Sequence, residues 1–219
     1  MVRRSLLLGV LGSVTAFAFA DCRAAELDVV ITDARGRPVQ DSVVIATGQS
    51  APASTAGAAQ AVMDQIGKAF VPGVLVVRTG TPVVFPNSDS VAHQVYSFST
   101  AKRFELGLYR GDPHPPVVFD QPGLVVVGCN IHDNMVGYIV ATDSPYFGKS
   151  GKDGAVRVTD VPAGEYDVTI WNPRVPRDAE GLKQHVRLSD AGPRLVQFRL
   201  RQVLQSGTEA HRDARLRDY

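Results

Sequence analysis

The chain has 219 residues, with 23 lysines and arginines against 22 aspartates and glutamates, which gives a formal net charge of +1. This balance argues against nucleic-acid binding through an excess of positive charge, and a hydrophobic fraction of 44% argues against a wholly disordered chain. Two cysteines are too few for a disulfide-built scaffold, while 14 prolines and 20 glycines count against a helical bundle.

The N-terminus has the layout of an export signal. Arg3 and Arg4 precede an apolar run over residues 6–20, and small residues follow it. Residues 1–25 are therefore predicted to form a cleaved signal peptide that directs the protein to the periplasm, and cleavage after Ala20 or after Ala25 fits equally well. The apolar run is shorter than the roughly 20 residues of a membrane-spanning helix, so no stable membrane anchor is expected.

The rest of the chain is predicted to be all-β. Short apolar runs are separated by glycine and proline turns, and no segment shows a long 3.6-residue period. This pattern favours β-sandwiches. The segments are the first strands (residues 26–48), a linker rich in Ala, Ser, Gly and Pro (49–62), a central domain (63–143), further strands (144–201) and a polar, mobile tail (202–219).

One short loop carries three side chains that bind soft metals. Cys129 is followed by His132 and then by Met135, and His93 lies in an earlier β run. Two histidines, a cysteine and a weak axial methionine are the ligand set of a blue-copper centre. The sulfur ligands suit Cu(I) and imidazole suits both oxidation states, so this set favours a site that rearranges little when an electron moves.

Other interpretations of these residues fit less well. Structural zinc sites use four strong nitrogen or sulfur ligands, and a thioether is a poor fourth. A cysteine-protease pair of Cys129 and His132 would need a helix start and an oxyanion arrangement that the sequence does not show. Taken alone, Cys129 and Met135 fit core packing better than metal binding, and His93 fits an ordinary strand residue. No dinucleotide fingerprint, P-loop or nucleophile elbow is present.

A family resemblance covers roughly residues 63–142 and rests on the ligand loop and the runs before it. The matching stretches are residues 70–72 (FVP), 77–89 (VRTGTPVVFPNSD), His93, 122–123 (PG) and 129–140 (CNIHDNMVGYIV). They resemble a cupredoxin of the plastocyanin and amicyanin type. The resemblance implies a Greek-key β-sandwich that holds one type 1 copper ion and transfers single electrons.

Carried over residue by residue, the resemblance implies that the copper ligands are His93, Cys129, His132 and Met135. It also implies that His132 shows its ring edge at the surface and serves as the electron port. Two departures affect these expectations. Gln94 stands where relatives usually have Asn, and Asp133 and Asn134 stand where relatives tend to have apolar residues. The first puts the reduction potential in doubt, and the second predicts a wetter, charged rim.

The flanking segments resemble a second module. Residues 29–39 and 43–45 are similar to the opening strands of a carboxypeptidase-regulatory or transthyretin-like β-sandwich, and residues 153–156 and 160–171 are similar to its later strands. Neither piece alone has enough strands to bury a core. We therefore expect one discontinuous, smaller Ig/transthyretin-like sandwich with the cupredoxin sandwich inserted into it.

The sequence thus predicts a periplasmic copper protein that cycles between Cu(I) and Cu(II) and passes electrons between unidentified redox proteins. No bond of a substrate changes in this scheme, so no enzymatic activity is expected, and no nucleic-acid partner is expected either. Two alternatives remain: a copper-binding or copper-delivery protein without a shuttle role, and an exported β-module in which copper is only structural.

Overall fold

The computed structural model describes residues 25–48, 59–111, 114–177, 179, 181–189 and 192–204. Every regular element in those residues is a β-strand, so the predicted all-β class is confirmed. Residues 1–24 and 49–58, which hold most of the predicted export signal and linker, lie outside them. Within the described ranges, no helix has the length and apolar character needed to cross a membrane.

The described strands are short, and several have only two or three residues. In chain order they are β1 (Ala25–Thr32), β2 (Val43–Gly48), β3 (Ala61–Val62), β4 (Asp64–Gln65), β5 (Phe70–Val71), β6 (Val74–Arg78), β7 (Thr81–Val84), β8 (His93–Ser97), β9 (Phe104–Tyr109), β10 (Val117–Phe119), β11 (Gly123–Gly128), β12 (Val136–Thr142), β13 (Phe147–Lys149), β14 (Ala155–Val161), β15 (Gly164–Trp171), β16 (Lys183–Leu188) and β17 (Arg194–Arg199).

Strands from the two ends of the chain pair with one another, and we call them the outer sandwich (β1, β2 and β13–β17). β1 lies between β14 and β17 in one sheet, and the second sheet has the order β13-β2-β15-β16. Residues of β1 alternate between buried and partly exposed positions, as expected for a strand with one face in a core. Leu27, Val29 and Ile31 enter the same hydrophobic cluster as Val168 and Phe198.

The central strands form the inner sandwich (β3–β12). Its larger sheet has the order β6-β12-β11-β8-β9, a smaller sheet has the order β10-β7-β3, and β4 and β5 form a hairpin. Phe119 from the smaller sheet and Val95, Val125 and Ile139 from the larger one share one buried cluster. The fold of the inner sandwich therefore brings β8 and β11 together as neighbours in its larger sheet.

A third apolar cluster joins the two sandwiches. Val43 of the outer sandwich is buried with Val74, Tyr138 and Val140 of the inner sandwich. The rings of Tyr138 and Trp171 are tilted against each other, with centroids 5.5 Å apart. The outer sandwich therefore packs on β6 and β12, on the side of the larger sheet that faces away from the inner core.

One tyrosine fixes the corner before β15. Tyr166 is 1% exposed, and its hydroxyl donates a hydrogen bond of 3.0 Å to the carbonyl of Pro162. Its ring lies so close to the backbone of Gly48 that a Cβ at residue 48 would lie 2.6 Å from Tyr166 Cδ1. Glycine at position 48 is thus required by the close packing of β2 against β15.

The structure differs from the predicted segments at several points. Ala61 and Val62, predicted to belong to the linker, form β3 and pair with β7. Leu204, predicted to lie in a mobile tail, is 8% exposed and belongs to the outer core, and Arg37 binds its carbonyl. Backbone pairing therefore starts before the predicted end of the linker, and apolar burial continues past the predicted start of the tail. The division into two separate domains stays a prediction.

The bounds of the first strand bear on the predicted signal cleavage. β1 begins at Ala25, which is 3% exposed and pairs with Val161. Cleavage after Ala20 leaves this strand whole, whereas cleavage after Ala25 removes its first residue.

Candidate metal centre

Two neighbouring strands place the predicted ligands. His93 is the first residue of β8, and Cys129 directly follows Gly128, the last residue of β11. The antiparallel pairing of β8 and β11 sets Gly128 opposite Tyr96. A Cβ at residue 128 would lie 3.0 Å from the Tyr96 ring, so glycine lets the strand ends approach closely enough for the histidine and the cysteine to meet.

Three of the four predicted ligands lie together. The ligand atoms of His93, Cys129 and His132 are all within 4.8 Å of one another. His93 Nδ1 is 3.9 Å from Cys129 Sγ, and the two imidazole rings meet edge-on with centroids 5.0 Å apart. His93 is fully buried and Cys129 is 5% exposed, whereas His132 is partly exposed.

Met135 closes a turn with His132 at the end of the ligand loop. Its amide donates a hydrogen bond of 2.9 Å to the carbonyl of His132, which closes the turn between the two residues. Its side chain is 1% exposed and lies in the same hydrophobic cluster as Cys129. The fourth predicted ligand is therefore buried in the same core as Cys129.

An unsatisfied ring nitrogen of His132 supports a metal site at this position. Nδ1 of His132 is buried and, among the described residues, accepts or donates no hydrogen bond. A buried polar atom without a partner is costly and needs an explanation. A bound ion would satisfy it, and thiolate, two imidazoles and a thioether are donors that suit copper. The donor set therefore fits a type 1 copper ion.

A carboxylate contacts the buried histidine. Asp89 Oδ2 lies 2.8 Å from His93 Nε2, while the other ring nitrogen, Nδ1, lies 3.9 Å from Cys129 Sγ. Hydrogen bonds from the backbone amide of Lys68 and from the His93 ring lower the pKa of Asp89, so the carboxylate stays charged at neutral pH.

A buried polar network holds the loop that carries Asp89. Gln65 is fully buried, and its amide donates to the carbonyl of Pro86 at 3.0 Å and to the hydroxyl of Tyr109. The Tyr109 hydroxyl in turn donates to the carbonyl of Phe85. Burial raises the pKa of Tyr109 to about 12, so the phenol remains a hydrogen-bond donor at all ordinary pH values.

Gln94, the departure noted in the sequence, links the two ligand-bearing segments. Its Oε1 accepts a hydrogen bond of 2.8 Å from Asn130, and its Nε2 donates one of 2.6 Å to Glu105 on β9. Because Gln94 follows His93 and Asn130 follows Cys129, this bridge ties neighbouring backbone positions of two ligands together.

The surface around the loop is mixed in character. Ile131, beside His132, is 51% exposed, and Val91 and Ile66 are 39% and 47% exposed on the neighbouring loops. Asp133 and Asn134 are exposed on the other side of His132. An exposed apolar residue and two exposed polar residues therefore flank His132 along the chain.

Sequence reasoning missed Asp89 as a functional residue. The segment around it has the composition of a turn, and a carboxylate four residues before a histidine is common on a protein surface. Its role depends on where the β4–β5 hairpin lies, which no local pattern reveals.

Comparisons with known proteins gave matches among solved structures alone. No family model matches the chain, and no curated protein matches it. Similar structures include the Cu-containing nitrite reductase of Thermus scotoductus SA-01 at 23% identity with a TM-score of 0.36, covering 43% of this chain. This chain spans only 25% of that enzyme.

Two further similar structures are small copper proteins. A reduced Cu(I) form of an amicyanin mutant is 19% identical with a TM-score of 0.35, covering 44% of this chain and 97% of its own. A purple cupredoxin from Nitrosopumilus maritimus is 24% identical with a TM-score of 0.32, covering 38% of this chain and 100% of its own. Each of these three likenesses covers less than half of this chain.

Proposed function

We propose that the protein is a periplasmic type 1 copper protein that carries single electrons between two redox proteins. The observation that supports this function is the convergence of His93, Cys129 and His132 within 4.8 Å, with a buried nitrogen of His132 left without a hydrogen-bond partner. Met135, which is buried in the same core as Cys129, would supply the fourth donor.

In this proposal the residues have separate tasks. The Cys129 thiolate and Nδ1 of His93 would hold the ion from inside the core, because both side chains are buried. His132, which is partly exposed, is the port through which an electron enters and leaves. When bound, copper supplies one-electron Cu(I)/Cu(II) cycling, and no bond of a substrate is made or broken.

The burial and bonding of the ligands favour electron transfer over storage. His93 is held by Asp89, and the strand ends that carry both ligands are fixed by β-sheet pairing. A site that moves little between oxidation states has a low barrier to electron transfer. A delivery site, in contrast, must release its ion to a partner, which requires ligands that open.

The partner is expected to dock on the end of the inner sandwich around His132. Ile131 offers apolar area beside His132, and Asp133 adds a negative charge. Apolar contact gives short distances for transfer, while charges on the rim set the rate of encounter.

The deciding experiment is the visible spectrum of the copper-loaded mature protein. We expect an intense band from the Cys129 thiolate that disappears on addition of ascorbate and returns on reoxidation. The Cys129→Ser variant should lose the band. His185→Ala, which changes an exposed histidine of the outer sandwich, should keep it and serves as the matched control.

Correctly folded, copper-loaded protein that stays colourless after oxidation would rule out electron shuttling by this centre. A colourless protein whose copper exchanges rapidly with a chelator would instead support delivery. Recovery of the mature protein in the osmotic-shock fraction tests the proposed periplasmic location, and its retention inside spheroplasts would contradict that location.

A further inference from the structure

The hairpin of β4 and β5 ends in a tight two-residue turn. Ile66 and Ala69 exchange backbone hydrogen bonds of 3.0 and 3.2 Å across it. Gly67 and Lys68 between them have φ angles of 63° and 61°, both in the left-handed region that a type I′ turn requires. All four residues are exposed, so the turn is a surface feature.

Both amides of this turn point at one carboxylate. The Gly67 N–H donates to Asp89 Oδ1 at 2.6 Å, and the Lys68 N–H donates to Asp89 Oδ2 at 2.8 Å. Successive backbone amides arranged in this way form a cradle for an anion. The Asp89 side chain, 14% exposed, is therefore fixed by a backbone segment more than twenty residues earlier in the chain.

The same carboxylate reaches the buried imidazole. Oδ2 of Asp89 receives the Lys68 amide and also lies 2.8 Å from Nε2 of His93, which is fully buried. The backbone of Asp89 is held as well, because its amide donates a hydrogen bond of 3.0 Å to Asn87 Oδ1. A continuous chain of hydrogen bonds thus runs from the exposed turn to a proposed copper ligand.

We propose that Asp89 is a positioning residue that, held by the Gly67 and Lys68 amides, fixes the tautomer and the orientation of His93 and thereby lowers the reduction potential of the site. The effect on the potential rests on the proposed copper function, whereas the effect on His93 belongs to the chain itself. A hydrogen-bonded carboxylate makes an imidazole a better donor to a metal, and its negative charge favours the more positive oxidation state.

The first test uses the metal-free protein. In the unaltered chain, the ¹⁵N chemical shifts of the His93 ring should show a proton on Nε2, and the Gly67 and Lys68 amides should exchange slowly with solvent. In Asp89→Asn, which keeps the size of the side chain, we expect a mixture of tautomers or a shift to Nδ1. In Asp89→Ala, exchange of both amides should be about tenfold faster or more, as for the loss of hydrogen bonds to a charged group.

Asp64→Asn is the matched control, because it removes a carboxylate of the same region whose oxygens accept from Ser88 and Gln65. It should leave the His93 tautomer unchanged. Lys68→Gly is a second control that removes the lysine side chain and keeps the turn amide. It should leave both amides protected.

The second test uses the copper-loaded protein. Asp89→Asn should keep the visible band and raise the reduction potential, whereas Asp64→Asn should raise it less, if at all. An equal rise of the reduction potential in both variants would mean that only the loss of a negative charge changes the potential. This result would overturn the positioning role of Asp89. An unchanged His93 tautomer in metal-free Asp89→Asn would also overturn it, even if the protein proved to have no electron-transfer function.

Discussion

The side chains of Gln94 and Asn130 are joined by a hydrogen bond of 2.8 Å, and each residue directly follows a proposed copper ligand. The two residues lie 36 positions apart in the sequence. The bond therefore links the start of β8 to the ligand loop independently of any metal ion, so part of the ligand geometry exists before metal binds.

Replacing Gln94 with Ala should weaken copper binding without removing the visible band. The variant loses its bonds to both Asn130 and Glu105, while all four proposed ligands remain. Loss of a group that orients a ligand typically costs about tenfold in metal affinity. Competition with a chelator measures this affinity, and Gln184→Ala, which changes a glutamine of the outer sandwich, is the control. Equal affinities in the two variants would contradict a clamping role for Gln94.

Replacing Met135 with Leu should keep the visible band and shift the reduction potential upward. The thioether is a weak axial donor in the proposed set, so its loss leaves the thiolate band intact and removes a donor that favours Cu(II). Met63 is also fully buried in the inner core, so Met63→Leu is a matched control that should leave the potential unchanged. Cyclic voltammetry distinguishes the two. A loss of colour in Met135→Leu would show that this residue does more than bind axially.

Gly48→Ala should destabilise the outer sandwich. The added Cβ would lie 2.6 Å from Tyr166 Cδ1 and 2.7 Å from the carbonyl oxygen of Glu165, and the second of these is backbone that cannot turn away. Overpacking of this kind costs about 1–3 kcal/mol. Urea unfolding measures the loss, with Gly107→Ala as the control, because a Cβ at residue 107 meets nothing within 4 Å. Equal unfolding midpoints would mean that β2 and β15 are not closely packed.

Asp33 should make the stability of the outer sandwich depend on pH in the acid range. Burial acts to raise the pKa of its carboxyl, but hydrogen bonds from the Arg37 side chain and from the Arg37 and Arg35 amides prevail and lower it from 3.8 to about 2. Since the folded pKa lies below the unfolded value, the stabilisation is complete above about pH 4 and is lost as the pH falls through 2. Urea midpoints over this range should fall for the natural protein.

The Asp33→Asn variant tests the assignment. It should be less stable than the natural protein at neutral pH, and the difference should shrink towards pH 2. A constant difference across the acid range would assign the effect to packing instead of to the charge of Asp33.

Cutting the chain between β2 and β3 should not separate its parts. β1 pairs with β14 and β17, and β2 pairs with β13 and β15, so the residues before the cut are held by strands near the other end of the chain. A specific protease site introduced between residues 49 and 58 should give two fragments that migrate together in gel filtration and separate only in denaturant. Release of a folded N-terminal fragment would contradict the predicted discontinuous domain.

The local part of the metal centre was predictable from sequence. Cys129, His132 and Met135 lie within one loop, so their spacing alone indicates a common site. His93 lies near them because β8 and β11 are neighbours in the larger sheet of the inner sandwich, a pairing that the sequence analysis did not predict. Asp89 was not predictable, because its value as a partner for His93 depends on the hairpin turn that fixes its carboxylate.

The strands differ in how far their own sequences indicate them. In β9, Phe104, Leu106 and Leu108 alternate with Glu105 and Gly107, which is a recognisable strand pattern. β13 has only three residues, all partly exposed, and it exists because β2 provides a partner for it. Such short strands are determined by pairing and not by their own composition.

The tilted ring contact between Tyr138 and Trp171 connects the inner sandwich to the outer sandwich. β12 begins at Val136, immediately after Met135, and its outward face rests on the outer sandwich. We therefore expect a substitution that loosens the packing around Trp171 to affect the strand that directly follows the ligand loop. We therefore expect some variants of the outer sandwich, and not only variants of the four proposed donors, to change the colour or the redox behaviour of the protein.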